Sequence, residues 1–333
     1  MIKPTMDCIR VGVAGAGYWG PKIIRNCLEL GVLGAVCDTD DVALASVRSM
    51  DPDICVTSDF HQMLTLPIDA VIVATPAVLH KEMCLQAINA GKHIFVEKPL
   101  ALSVADGQQI VAAARAAEVS VFVGHLLLYH PGVRKLRALV GEGAIGDVWH
   151  LRSRRLSLGR VRDHENVWWS FAPHDIAVML AVMAEEPRHV VASHSASGCT
   201  GLTDTAYADF EFSGGRTAHI EVSWLEPEKA ARLDVFGTHG VLTLDDTRDQ
   251  EKILTSRPFS IAQDGRERRV PIRGAESRVN FEHTEPLQAE LVEFLESIQF
   301  HRSSETDGDQ GVAVLRALTM AEAAVRQQAE LIV

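Results

Sequence analysis

A chain of 333 residues is too long for one typical core, and ordinary domain sizes divide it into two. With 47% apolar and 23% charged residues it has the balance of a globular protein, and its formal net charge of −12 argues against nucleic acid as a general partner. No apolar run approaches the ~18 to 20 residues of a membrane span, and no secretion signal is visible, so a cytoplasmic protein with no membrane partner is expected. The cysteines Cys8, Cys27, Cys37, Cys55, Cys84 and Cys199 stand singly, mostly in apolar segments, and read as reduced core residues. The histidines show no metal-ligand spacing, and no metal is expected.

The first strand, 9–14, is rich in β-branched residues and breaks into Gly15-Ala16-Gly17-Tyr18-Trp19-Gly20. This GxGxxG lies where a strand meets a helix. Gly15 permits the tight turn, Gly17 lets the backbone approach a pyrophosphate, and Gly20 lets the helix pack closely on the strand. The helix N-terminus offers free N–H groups to phosphates, and Tyr18 and Trp19 in the same loop join the candidate cofactor residues. A second strand, 32–37, ends in Asp38, at about the distance from the last glycine expected of a ribose-binding acid. A carboxylate there accepts from a free 2′-hydroxyl and repels a 2′-phosphate, which favours NAD over NADP. The alternative is that Asp38 caps the next helix, a task Asp40 can also perform.

Strands at 54–56 and 70–74 follow, separated by a helix from Ser58, and the second stops at Thr75-Pro76. A helical pattern at 78–90 leads into the stretch 91–100, GKHIFVEKPL. Ile94, Phe95 and Val96 form a short apolar run of the kind that becomes a buried parallel strand, ending abruptly in Glu97, Lys98 and Pro99. Ligands of open α/β sheets bind just outside the carboxyl ends of the strands. Lys98 is therefore a candidate catalytic group and cofactor neighbour, with Glu97, Thr75 and Pro76 beside the cofactor; the plain alternative for Lys98 is a surface lysine. Pro99 removes a backbone donor, holds Lys98 extended and permits a cis bond. His80 is either a cofactor neighbour or a helix-face residue without a role. A helix at 103–117 and a sixth strand at 119–123 complete a doubly wound parallel sheet, with a domain boundary after Gly124.

Beyond Gly124 the pattern changes. His125, Tyr129, His130 and Pro131 introduce an Arg- and Leu-rich helix ending at Gly141, Gly143 and Gly146, followed by a strand at 148–156 and a basic loop at 157–164. Segments on either side of the Ser213-Gly214-Gly215-Arg216 turn alternate with period two, as in an antiparallel sheet with one apolar face. Residues 233–236 and 241–244 add strands, and the Arg-rich stretch 255–280 reads as a long excursion with at most one short strand. Helices at about 285–299 and 310–327 close the chain. They can cover only one face of so large a sheet, so the other is expected to pair with a second subunit in a homodimer or homotetramer. The expected class is α/β: an N-terminal Rossmann sheet over 1–124, then an α+β domain over 125–333 with a large, open, mostly antiparallel sheet.

Pro173 and His174 open a helical pattern, PHDIAVMLAVMA, after the aromatic run Trp168-Trp169-Ser170-Phe171. A histidine in the first turn of a helix is either a cap-adjacent structural residue or a general base, since the helix dipole there favours the neutral imidazole. Trp169 and Asp175 flank it and are candidate substrate contacts. The cluster Arg152, Arg154, Arg155, Arg160 and Arg162 stands out in an acidic chain. It is either a solvated surface neutralised by Glu142, Asp147, Asp163 and Glu165 or an anion site, and its place beside the other candidate residues favours the anion site.

With GAGYWG at 15–20, Asp38, ATP at 74–76, GKHIFVEKPLA at 91–101 and APHDIAVML at 172–180, the chain resembles the Gfo/Idh/MocA oxidoreductase family over nearly its full length. The resemblance implies Lys98 and His174 as the catalytic lysine and histidine. Family members commonly carry an aspartate four residues before that histidine, and this chain has Ser170 there. GYWGPKIIRN, VEKPLA, the segment 129–134 and RRLSLGRVRDHENVWW are similar to the nucleotide-sugar branch. That branch implies a UDP-sugar substrate oxidised at its 3-hydroxyl, and a functionally coupled sugar aminotransferase acting on the ketone on the way to amide-linked lipid A. On this reading His174 removes the hydroxyl proton, an ordinary lysine near ~10.4 being a poor base, and Lys98 stabilises the alkoxide. Arg155 and Arg160 would hold the pyrophosphate, with Tyr129 and His130 nearer the sugar and His125 among the substrate contacts. A ketosugar reductase using NADPH, a UDP-sugar-acid 3-dehydrogenase, a glycosidase that borrows NAD and a cofactor-sensing regulator are the rival readings. A regulator would need neither Lys98 nor His174.

Overall fold

Short runs of valine, isoleucine and alanine with no polar face build the first sheet of this computed structural model, which describes residues 9–159, 161–162, 165–196, 201–248, 253–263 and 268–331. Arg160, Asp163 and His164 of the basic loop lie outside the described residues, as do Cys8 and Cys199. In chain order come β1 (Val11–Ala14), α1 (Gly20–Glu29), β2 (Leu33–Cys37), α2 (Asp41–Met50), β3 (Cys55–Thr57), α3 (Phe60–Leu64), β4 (Ala70–Val73), α4 (His80–Asn89), β5 (His93–Glu97), α5 (Val104–Ala116) and β6 (Val121–Gly124). The six strands are parallel, in the order β3-β2-β1-β4-β5-β6. Strand order therefore reverses between β1 and β4, the position at which open α/β sheets bind ligands beyond the carboxyl ends of their strands. Every residue of β1 and β4 is buried, as helices on both faces of a parallel sheet require. Cys27, Cys37 and Cys84 are buried thiols, whereas Cys55 on the edge strand β3 is exposed.

The second sheet follows α6 (Pro131–Gly141). Its strands are β7 (Val148–Leu158), β8 (His189–Ser195), β9 (Thr205–Glu211), β10 (Thr217–Ser223), β11 (Leu225–Gly237), β12 (Gly240–Asp245), β13 (Leu254–Gln263), β14 (Arg269–Arg273) and β15 (Ser277–Arg278), with α7 (Val167–Met183) between the first two. The order is β14-β13-β12-β11-β7-β10-β9-β8, with β15 against β13. Among the described residues only β7 and β10 run parallel; the other pairs are antiparallel. Helix α7 packs on one face of this sheet, and 13 of its residues are buried, from Val167 to Met183. The stretch 255–280, expected to hold at most one short strand, instead carries β13, β14 and β15. After Leu254 and Thr255 these strands bury no residue, and their apolar alternation is limited to the short pairs Phe259/Ile261 and Val270/Ile272 among prolines and arginines, too little to mark a strand by its buried face.

The chain ends in α8 (Pro286–Gln299) and α9 (Gly308–Leu331). Two compact units result: unit 1 comprises Met1–Leu126 with Glu285–Leu315, and unit 2 Leu127–Thr284 with Arg316–Val333. The single boundary expected after Gly124 misses the return of α8 to unit 1. Phe294 of α8 is wholly buried against Phe95 and Phe122, with ring centroids 5.6 and 5.5 Å away. Such pairs contribute ~0.5–1.5 kcal/mol each beyond their burial. No helix among the described residues is long and apolar enough to cross a membrane.

Candidate active site

In unit 1 the glycine loop is built as its spacing requires. Gly15 has φ +101°, and a Cβ there would stand 2.6 Å from the Ala74 carbonyl oxygen, so the loop after β1 lies directly on the end of β4. At Gly20 a Cβ would collide with the Gly15 carbonyl. At Gly17 a Cβ would meet nothing within 4 Å, which leaves open space above the loop. No acid lies in the first turn of α1 to oppose a phosphate at its N-terminus. Asp40 caps α2 by accepting from the Val42 N–H at 2.9 Å, which releases Asp38 from that task. Asp38 instead accepts from the Ala16 N–H at 2.6 Å and from the Asp40 N–H at 2.9 Å, pinning the carboxylate to the loop itself. These residues fit a dinucleotide. Gly17→Ala should leave stability within about 0.5 kcal/mol but weaken cofactor binding ~10-fold or more, whereas Gly20→Ala should also lower Tm. Thermal melts with a fluorescence titration of each variant separate the two effects.

At the carboxyl ends of β4 and β5, His80 is a buried strut. Its Nδ1 lies 2.7 Å from the Pro99 carbonyl and its Nε2 2.9 Å from the Thr75 carbonyl, so both ring nitrogens face backbone and any bearing on a cofactor passes through Thr75. Thr75 is partly buried, and Pro76 begins the short turn Ala77–Leu79. The Lys98–Pro99 bond is cis, Pro99 is buried and Lys98 is partly buried. Glu97 accepts hydrogen bonds from the Lys98 N–H at 3.3 Å and from the Trp19 indole. The Trp19 ring also carries the Lys22 ammonium 4.4 Å from its centroid, while Tyr18 is 79% exposed. His125, expected among the substrate contacts, is buried with Nδ1 2.6 Å from Gln310 Oε1. Burial pushes its imidazole down to about 4, against the Gln310 hydrogen bond and with the help of nearby Lys98, so it stays neutral near pH 7.

In unit 2, α7 begins at Val167, with the Asn166 side chain accepting from the Trp169 N–H at 3.0 Å. Pro173 is inside the helix, and His174 stands in its second turn rather than at its start. The helix-dipole argument for a neutral His174 therefore does not apply; proline's preference for first-turn positions suggested the wrong start. Ser170 lies buried one turn before His174, on the same side of the helix. The indole N–H of Trp169 donates to Glu322 at 2.7 Å and that of Trp168 to the Leu318 carbonyl at 3.2 Å.

The arginine cluster does not form one site. Alternation along β7 sends Arg155 to the face covered by α7, where its fork grips Asp175 at 2.7 and 3.1 Å, with Ser153 donating to the same carboxylate at 2.6 Å. Arg152 stands on the other face, 2.8 Å from Asp234, and Arg162 pairs with Glu165. Arg155 and Asp175 line a cavity open to solvent with His130, Arg232 and Asp246. There His130 Nδ1 accepts from the Gly132 N–H at 3.1 Å, its Nε2 lies 3.7 Å from Asp246, and it holds that carboxyl below its usual range. The forked donors that a pyrophosphate would use on Arg155 thus already face a carboxylate. Tyr129 is wholly buried, with the Arg134 guanidinium 4.8 Å from its ring centroid, and presents no surface to a ligand. Among the described residues no group of three or more His, Cys, Asp or Glu could hold a metal ion.

Residues 9–125 match the family model for the GFO/IDH/MocA oxidoreductase family, NAD-binding Rossmann fold, and residues 133–243 that for the GFO/IDH/MocA C-terminal domain. The chain is 29% identical over 262 residues to 2,7-anhydro-N-acetylneuraminate hydratase of Escherichia coli, covering 71% of this chain and 68% of that one. It is 25% identical over 319 residues to UDP-N-acetylglucosamine 3-dehydrogenase of Acidithiobacillus ferrooxidans, covering 95% and 97% of the two chains. A solved structure of that dehydrogenase superposes with a TM-score of 0.84 at 24% identity, over 95% of this chain and 97% of the other. An oxidoreductase structure from Magnetospirillum magnetotacticum MS-1 gives a TM-score of 0.81 at 29% identity, over 94% and 99%.

Proposed function

The chain belongs to the Gfo/Idh/MocA oxidoreductase family, and we propose that it uses NAD⁺ to oxidise the 3-hydroxyl of UDP-N-acetylglucosamine to the 3-keto sugar. The observation that carries the substrate is the match along almost the whole Acidithiobacillus dehydrogenase, second domain included, whereas the hydratase match spans 71% of this chain. Asp38, anchored in the glycine loop, supports NAD over NADP through its repulsion of a 2′-phosphate. The loop at 15–20 with Asp38 would hold the dinucleotide, whose nicotinamide would supply the hydride acceptor for the carbinol carbon. His174 takes the hydroxyl proton, and the Lys98 ammonium stabilises the negative charge that develops on that oxygen. Trp169, steadied by Glu322, and His130 are the side chains assigned to the sugar. Arg155 serves through its pair with Asp175, which fixes the wall of the cavity. The product ketone suits amination by a coupled sugar aminotransferase feeding lipid A or another cell-surface glycan.

Self-association belongs to the same reading. On the face of the second sheet opposite α7, Asp209, His219, Arg152, Asp234 and Thr243 follow one another across the strands, with Val191 and Tyr207 exposed beside them. This mixed charged and apolar face is the surface we assign to a homodimer or homotetramer.

The test is NADH absorbance on mixing the protein with NAD⁺ and UDP-N-acetylglucosamine, alone and with a sugar aminotransferase plus glutamate to draw off the ketone. Absorbance that rises with this pair, and not with NADP⁺, supports the substrate and the cofactor together. No NADH even with the aminotransferase present would overturn the substrate assignment. Turnover of 2,7-anhydro-N-acetylneuraminate in a parallel assay would replace it.

A further inference from the structure

Helix α8 buries one acid on its apolar face. Glu290 stands among Leu287, Leu291, Phe294 and Leu295 and is 1% exposed. The Phe294 ring lies 5.6 Å from that of Phe95 on β5. Glu290 is one helical turn from Phe294, and Glu97 is two residues from Phe95 on the same side of the strand. Each step spans ~6 Å, and Glu97 is close enough to Glu290 to repel its charge, so the packing that sets Phe294 on Phe95 places Glu290 beside Glu97. The two acids are differently served. Glu97 accepts from the Lys98 N–H and the Trp19 indole, and it is hemmed in by Gly124, where a Cβ would stand 3.1 Å from Glu97 Oε2. Glu290 Oε1 has no hydrogen-bond partner among the described residues. An anion with a bare oxygen in such surroundings is far costlier than a neutral acid.

We propose that Glu290 is a positioning residue that keeps a proton beside Glu97, leaving Glu97 as the single anion that holds the Trp19 indole of the glycine loop and the Lys98 backbone at the end of β5. This rests on the reading of unit 1 as the nucleotide-binding unit. The charged groups facing the pair are Lys98, just past β5, and, across the Trp19 ring, Lys22 on α1. His125 after β6 is neutral, and Arg25 of α1 is taken up by Glu285 and Glu29. Burial raises both carboxyls, Glu97 to about 7 and Glu290 well above the usual range, where repulsion from Glu97 adds to the effect. A folded value raised above the unfolded one means that the folded unit binds the extra proton more tightly. As pH falls through about 7 Glu97 is neutralised: folding at this site gains, and the charge that anchors Trp19 is lost.

Two measurements on the full chain test the proposal. Without cofactor at pH 8, the infrared spectrum should contain a protonated-carboxyl stretch that moves on ¹³C-glutamate labelling and disappears in Glu290→Gln; the labelling arm needs no variant. In tryptophan-fluorescence titrations, NAD⁺ should bind ~10-fold more weakly at pH 5.5 than at pH 8, along a one-proton curve. Glu290→Gln, the shape of the protonated acid, should keep that midpoint within about 0.3 pH units, and Glu97→Gln should bind weakly at every pH. Absence of the band at pH 8, or a midpoint about one unit lower in Glu290→Gln, would overturn the proposal. The band present with no NAD⁺ binding at any pH would instead overturn the nucleotide-binding reading.

Discussion

Lys98→Met should lower kcat by ~10²–10³-fold while NAD⁺ affinity stays within about twofold, the loss expected when a preorganised charge at a developing oxyanion is removed. Methionine keeps an unbranched stem at this partly buried position, and the His80 strut still holds the Pro99 carbonyl, so the loop after β5 stays in place. Only the ammonium goes. Lys98→Arg keeps the charge but spreads it over a planar fork, and is expected to recover only part of the rate. Single-turnover absorbance on saturated enzyme measures the chemical step, and the binding titration runs beside it. If Lys98→Met turned over at the wild-type rate, the lysine would have no electrostatic part in the reaction.

His174→Asn should lower kcat by ~10²-fold or more, again with the cofactor bound as before, because asparagine offers hydrogen bonds but cannot take up a proton at neutral pH. The helix that carries His174 is pinned by the Asn166 cap, by Trp168 on the Leu318 carbonyl and by Asp175 on Arg155. The substitution should therefore leave unit 2 folded, which circular dichroism verifies. A rate within about threefold of wild type would move the base to Lys98 or to a water molecule.

Much of unit 1 was legible because its signals are local. Alternating apolar runs and helical patterns, a GxGxxG at a strand-to-helix turn, and a charge where β5 stops each follow from neighbouring residues. Three features were not local. Glu290 reads in the sequence as one more acid in an acidic helix, although its place in the apolar spacing of Leu287, Leu291, Phe294 and Leu295 was the available sign. Arg152 and Arg155 look like one basic cluster until the pleat of β7 turns them to opposite faces. The start of α7 was hidden because Pro173 resembles a first-turn proline, while the true cap, Asn166, precedes an aromatic run.

Strand β14 closes one side of the second sheet, and all five of its residues are exposed. A strand edge unpaired among the described residues, with Val270 and Ile272 exposed, is a template on which another chain could extend the sheet. Pro271 at its centre has no N–H to offer, and Arg269 and Arg273 place a charge at either end. The sheet is therefore barred from growing on this side by its own last strand, and replacing Pro271 together with the two arginines would remove a gatekeeper against edge-to-edge aggregation.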